Sequence, residues 1–186
     1  MPTVVAISGS PSARSKTNRV ADHVLAVLAG EDTEVVHIRL RELPAEALLS
    51  ADSGHPAIAA ALAALEKADG VVLATPTYKA AYSGLLKAFL DLLPQFALSG
   101  KAVLPLATGG TVAHVLALDY GLRPVLQSLA PRHVVQSFFL VESQLTLTED
   151  AVRLEPDAVR TLADILDDFA DAFRAPRRAT AVARSS

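Results

Sequence analysis

Short apolar runs of strand length, set between amphipathic helical stretches, constrain this chain more than any other feature. Val71-Val-Leu-Ala-Thr75 and Lys101-Ala-Val-Leu-Pro-Leu-Ala-Thr108 do not alternate polar with apolar residues. Strands of this kind are covered on both faces by helices, which argues for parallel pairing. Val4-Val-Ala-Ile7 reads the same way, and Glu34 to Leu40 and Val134 to Val141 complete a set of five strands. Pro105 cannot donate to a ladder, but the β-α spacing still requires a strand there. Helical spacing is clear from Thr17 to Ala29 (Val20, Val24, Leu28), from His55 to Ala68 (Ile58, Leu62, Leu65), and from Asp157 to Arg174 (Leu162, Leu166, Phe169, Phe173). Ser83 to Leu93 and Thr111 to Leu129 are the remaining helices, and Arg41 to Gly54 and Glu142 to Leu154 show no decisive pattern. Alternation of this sort implies an α/β fold with a doubly wound parallel sheet, right-handed crossovers and helices on both faces. Residues 1–174 form a single domain in this reading, and 175–186, with basic charge and no acidic residue, form a disordered basic tail.

Composition narrows the chemistry. The 186 residues contain no cysteine, which removes disulfides, thiolate nucleophiles and iron–sulfur ligation together, so redox chemistry requires a bound cofactor. The five histidines show no metal-ligand spacing, so no metal is expected. A net charge of −3 gives no basis for binding nucleic acid. The apolar runs are far shorter than the roughly 20 residues of a membrane span, and Met1-Pro2-Thr3 runs directly into a strand without a secretory n-region. The expected location is cytoplasmic.

In doubly wound sheets ligands sit beyond the carboxyl ends of the strands, and the loops after the first, third and fourth strands are unusual. After the first comes Ser8-Gly-Ser-Pro-Ser-Ala-Arg-Ser-Lys-Thr17, a run of hydroxyls and cations entering a helix. A helix start offers unpaired N–H groups and partial positive charge to an anion; Ser8, Ser10, Ser15 and Thr17 add donors and Arg14 a guanidinium. The loop is neither a Walker loop nor a dinucleotide fingerprint, which leaves a monophosphate-sized site. After the third strand, Pro76 fixes the turn and Tyr78 can stack on a planar ring. After the fourth, Thr108-Gly-Gly-Thr111 allows a flat ring to lie against bare backbone. A phosphate site beside two surfaces for a planar ring describes a flavin mononucleotide (FMN) better than a dinucleotide.

Thr75-Pro-Thr-Tyr-Lys-Ala-Ala-Tyr-Ser-Gly-Leu-Leu-Lys-Ala-Phe-Leu-Asp-Leu-Leu-Pro94 resembles the flavin-ring motif of the flavodoxin-like NADPH-dependent FMN reductases. Leu104-Pro-Leu-Ala-Thr-Gly-Gly-Thr-Val-Ala-His114 resembles the subgroup that serves alkanesulfonate monooxygenases, and the likeness extends from about Val4 to Leu140. The resemblance implies a five-stranded flavodoxin-like sheet in the order 2-1-3-4-5. It also implies an enzyme that moves hydride from NADPH, or NADH, to FMN and passes reduced flavin to a partner monooxygenase. Ser8, Ser10, Arg14, Ser15, Lys16 and Thr17 would hold the phosphate, with the choice among Ser8, Ser10 and Ser12 open. Pro76, Thr77, Tyr78, Lys79 and Ser83 would line the ring, with Thr108, Gly109, Gly110 and Thr111 on its other edge. No side chain need act as acid or base, since the ring accepts the hydride. The alternatives are an FMN-retaining quinone, azo or chromate reductase and a non-enzymatic electron carrier; Lys16, Lys79 and Arg14 around the site disfavour the carrier.

Two helices carry further expectations. Pro124 cannot donate to the carbonyl of Tyr120, so the helix must be irregular there, and Gly121 eases a kink or π-bulge. The resembling subgroup carries a Tyr inserted at a π-bulge near the flavin site and a subunit interface, which makes Tyr120 a candidate modulator; a purely structural kink is the alternative. Leu85 to Leu93 is apolar nearly all round, which predicts a subunit interface in a homodimer or homotetramer.

Overall fold

The first apolar run forms β1 (Thr3–Ser8), which pairs in parallel with β2 (Glu34–Arg39) on one side and β3 (Gly70–Tyr78) on the other. The computed structural model describes residues 1–30, 32–149 and 151–176. The part of the expected tail at 177–186 lies outside the described residues. Alternation along the central strands divides the core in two. Val4, Ala6, Val72, Ala74, Leu104 and Leu106 face one side, where α1 (Lys16–Leu28) and α6 (Pro156–Arg174) pack with Val20, Val24, Phe169 and Phe173. Val5, Ile7, Val71, Leu73 and Val103 face the other, against α2 (Ala45–Leu49), α3 (Pro56–Lys67) and α4 (Gly84–Leu90). Full burial of both faces explains why these strands are continuously apolar.

The strand count is corrected. Among the described residues the main sheet has seven strands, running β2-β1-β3-β5-β6, with β4 paired to β3 and β7 to β5. The fourth apolar run is β5 (Ala102–Gly109), and the expected fifth strand is divided into β6 (His133–Val134) and β7 (Phe138–Val141). Pro105 accounts for the division. The Val103 carbonyl accepts from the Val135 N–H at 3.0 Å, so residue 105, two positions on, faces the same neighbour and has no N–H to give. Pairing resumes at Leu106 with Phe138, so two residues of β5 oppose three on the partner, a bulge. Arg123 supplies the missing donors, reaching the Val134 and Val135 carbonyls and, at 2.9 Å, the Ser137 hydroxyl.

Other expected boundaries also shift. Lys79 and Ala80 take φ of 51° and 59° and close a hairpin between the end of β3 and β4 (Ala81–Tyr82), where the sequence reads as open loop. Two successive left-handed residues match a type I′ turn, but neither is glycine or asparagine, so the usual hairpin signal is absent. Thr111 to Leu129 is not one helix: it comprises a 3₁₀ turn (Val112–His114), a π-helix (Ala117–Leu122) and α5 (Arg123–Ser128). Glu142 to Leu154 contains a 3₁₀ turn (Glu142–Gln144) and a separate antiparallel pair, β8 (Leu145–Leu147) with β9 (Val152–Leu154). α4 is apolar nearly all round for a reason inside the chain. Leu86, Phe89 and Leu90 are buried among residues of β1, β3 and α2, with Leu85 and Leu93 partly covered. Among the described residues no helix is long and apolar enough to cross a membrane.

Candidate functional site

Parallel pairing brings β1, β3 and β5 to an end at one rim, and the chain leaving each turns into the same space. Ser10, Ser12, Arg14, Ser15, Lys16 and Thr17 from the first loop, Pro76, Thr77 and Tyr78 from β3, and Thr108 from β5 line a cavity of about 240 Å³. Glu142, the residue after β7, completes its wall. Ser15 is the N-cap of α1, its Oγ accepting the Asn18 N–H at 3.0 Å. The Thr17 and Thr108 hydroxyls, 2.6 Å apart, tie the start of α1 to β5. The loop is drawn tight by the Ser12 N–H donating to Ser10 Oγ at 3.4 Å and the Arg14 N–H donating to Ser12 Oγ at 3.2 Å.

The site fits an anion attached to a polar, partly enclosed group. α1 is 13 residues long with no acidic residue in its first turn, so its positive end faces the cavity with Arg14 and Lys16 beside it. The buried Thr77 Oγ1 has no partner among the described residues. A buried hydroxyl left in that state costs about 1–3 kcal/mol, and a ligand's polar group would relieve it. The volume is below the roughly 300–1,000 Å³ that encloses a whole drug-sized ligand, so it accommodates only part of a mononucleotide. Half-exposed Tyr78 lines the cavity, where it can meet a planar ring, whereas Gly110 and Thr111, exposed just past the end of β5, are not part of the lining. Larger hollows of about 710 to 750 Å³ lie around Lys101, His133 and Asp69, at the amino ends of the strands, away from this rim.

Several expected residues stand elsewhere. Ser8 is fully buried, and its hydroxyl pairs with His37 Nε2 at 2.8 Å instead of facing the cavity. Ser83 caps α4 and donates to the Gly9 carbonyl at 2.6 Å, so it locks two loops together. Gly109 is buried under the rim, where a Cβ would come within 2.7 Å of Phe139. Lys79 is exposed in the hairpin turn, outside the cavity lining. Glu142 is the residue that sequence reasoning missed. The available signal was topological: the fifth strand ends at the same rim as the first, third and fourth.

Tyr120 sits within the π-helix and is 78% exposed. With Ala80, His114, Leu116 and Gly121 it lines a hollow of about 400 Å³ beside the hairpin turn. Leu116 in its lining, and Val112 and Val115 close by in the chain, are exposed and give this hollow an apolar margin. The irregularity is pinned by Asp119, whose carboxylate accepts from Arg123 Nε at 3.1 Å and from the Ser137 hydroxyl at 2.9 Å.

Behind Ser8 lies a polar chain that holds β1 to β2 and α1. His37 Nδ1 donates to the Asp22 carboxylate at 2.7 Å, and Arg39 donates to the same oxygen at 2.6 Å. Burial pushes the His37 imidazole below its ordinary value of 6.5 and the Arg39 charge adds to this, while the Asp22 hydrogen bond and the charges of Asp22 and Glu42 oppose it. The folded state thus prefers neutral His37, and the unfolded chain takes up a proton at higher pH. Stability is present above 6.5 and is lost as pH falls from there through the lowered folded value. The urea midpoint is expected to fall between about pH 7.5 and 5.5, and His37→Gln to flatten that slope; an unchanged slope in the variant would assign the acid sensitivity elsewhere, His23 being lowered by burial in the same direction.

Residues 2–146 match the family model described as NADPH-dependent FMN reductase. The chain is 47% identical over 142 residues to an FMN reductase (NADPH) of Escherichia coli K12, covering 76% of this chain and 74% of that protein. It is 38% identical over 125 residues to the NADH-dependent FMN reductase SfnF of Pseudomonas fluorescens Pf0-1, covering 66% and 67% of the two chains. Among solved structures, an NADH:FMN oxidoreductase (EMOB) in its apo form matches with a TM-score of 0.88 at 52% identity, over 95% of this chain and 92% of that one. The matched span contains all three rim loops and Glu142, and the chain belongs to the NADPH-dependent FMN reductase family.

Proposed function

We propose that this protein is an NAD(P)H:FMN reductase that takes up FMN as a substrate and supplies reduced flavin to a partner flavin-dependent monooxygenase of sulfonate type. The observation that carries the reading is the rim cavity itself: a helix start with Arg14 and Lys16 beside the unpartnered Thr77 hydroxyl, enclosing about 240 Å³ and open beyond. Ser10, Arg14, Ser15, Lys16 and Thr17 would hold the phosphate. Thr77, Tyr78, Thr108, Gly110 and Thr111 would meet the rest of the flavin. FMN, when bound, supplies the ring that accepts the hydride. The protein's own part is to bind the charged end, shield one side of the ring and leave the other open to the nicotinamide. A small enclosed volume suits a flavin that leaves after reduction. Relatives with FMN reductase in their names differ in the nicotinamide nucleotide named, which supports keeping both NADPH and NADH as donors. The apolar margin at Tyr78, Val112, Leu116 and Tyr120 would be covered in a homodimer or homotetramer, with Tyr120 acting on flavin retention from there.

Steady-state oxidation of NADPH and NADH by flavin-free protein tests the reading. Oxidation is expected to require added FMN and to saturate with it, and FMN is expected to separate from the protein on gel filtration. Yellow protein with stoichiometric FMN that oxidises NADPH without added flavin would establish the flavin-retaining alternative.

A further inference from the structure

Among the described residues lining the cavity, Glu142 alone carries a negative charge, in a space otherwise furnished for an anion. Its Oε2 accepts from Lys16 Nζ at 3.0 Å, so a cation at the first position of α1 already has a carboxylate partner. The side chains are 32% and 53% exposed, and ion pairs of that exposure are weak and easily exchanged. The backbone under Glu142 is held more firmly. Gln144 returns its side-chain oxygen to the Val141 N–H at 3.0 Å, and the Gln144 carbonyl accepts from Glu155 at 3.0 Å. A fixed turn therefore presents a movable carboxylate to the same cation that an incoming phosphate would use.

We infer that Glu142 is a latch that competes with the FMN phosphate for Lys16 and sets how readily flavin leaves, an inference resting on the reading of this cavity as the phosphate site. A phosphomonoester carries about −1.5 to −2 charges near neutral pH. On entry it displaces the carboxylate from Lys16 and then remains close to it. Binding is weakened twice, by the lost pair and by like-charge repulsion. Riboflavin, which lacks the phosphate, meets neither effect.

The test is Glu142→Gln in the full chain, an exposed substitution that keeps the shape and removes the charge. The readouts are FMN and riboflavin affinities by flavin fluorescence, and FMN release by stopped flow. The variant is expected to bind FMN about three- to tenfold more tightly, with riboflavin changed by less than about twofold and the gain largest at low salt, because exposed charges are screened. FMN release is expected to slow by a similar factor. FMN affinity unchanged or weakened in the variant, with wild type still preferring FMN to riboflavin, overturns the latch and leaves the phosphate site standing. Equal tightening of both flavins, or a wild type with no preference for FMN, overturns the latch together with the phosphate site.

Discussion

Gly9→Ala is expected to lower stability by about 3 kcal/mol, or roughly 6–12 °C in Tm, and to remove most FMN binding with it. Gly9 lies where β1 ends and the loop to α1 begins, and its N–H donates to the Ala74 carbonyl at 2.8 Å. A Cβ there would stand 2.7 Å from Leu86 Cβ, 2.7 Å from Ser83 Oγ and 3.3 Å from Leu86 Cα. Those neighbours belong to the first turn of a helix packed in the core, so they cannot swing aside as the tip of a long side chain would. Moving them separates β1 from α4 and breaks the Ser83 bond to the Gly9 carbonyl. The glycine is needed for close approach, since its φ is not among the positive ones. Thermal denaturation and FMN titration check this together, and a variant within about 1 kcal/mol of wild type would mean that the β1–α4 junction is softer than its packing implies.

Arg14→Ala combined with Ser15→Ala is expected to weaken FMN binding about 100-fold while leaving riboflavin within about threefold. Charge-assisted hydrogen bonds contribute roughly 1.5–3 kcal/mol each, and every 1.4 kcal/mol is tenfold in affinity. Arg14 is exposed on the loop, so its loss should act on the ligand and little on the fold. Ser15 is buried and caps α1 through the Asn18 N–H, so its replacement also costs about 1 kcal/mol of helix stability. Arg14→Ala alone separates the two effects: it should give much of the FMN-selective loss at unchanged Tm. Equal losses for FMN and riboflavin would place the phosphate away from α1.

Much of the scaffold was legible because burial leaves a local imprint. A strand covered on both faces must be apolar at successive positions, and β1, β3 and β5 show this without ambiguity. The irregularity near Tyr120 was legible for a similar reason, though not its form as a kink or a π-helix: Pro124 deletes a specific donor and Gly121 stands beside the defect. The division of the fifth strand was not, because it arises from Pro105 acting on a neighbour about thirty residues later, at Val135 to Ser137. Nor was the hairpin at Lys79 and Ala80, which adopts a left-handed turn without the residues that usually announce one.

Ser8 shows how a readable signal can be passed over. Strand alternation puts it on the face of Val4 and Ala6, toward α1, where His37, itself held by Asp22, takes its hydroxyl. Its proximity in sequence to Ser10 suggested a shared role, whereas Ser8 is the last residue of a strand buried on both faces and Ser10 lies in the loop beyond it.

The amino-acid sequence by itself determined the layered α/β architecture, the three loops at the carboxyl ends of the strands and the cationic helix start, because strand burial, turn chemistry and helix capping are local properties of a few adjacent residues. Only the tertiary structure decided which hydroxyls face the rim cavity and which opposing charge stands among them. Lys16 and Glu142 are 126 residues apart, and they meet because parallel pairing ends β1 and β7 at the same rim, a distance relation that no local pattern encodes.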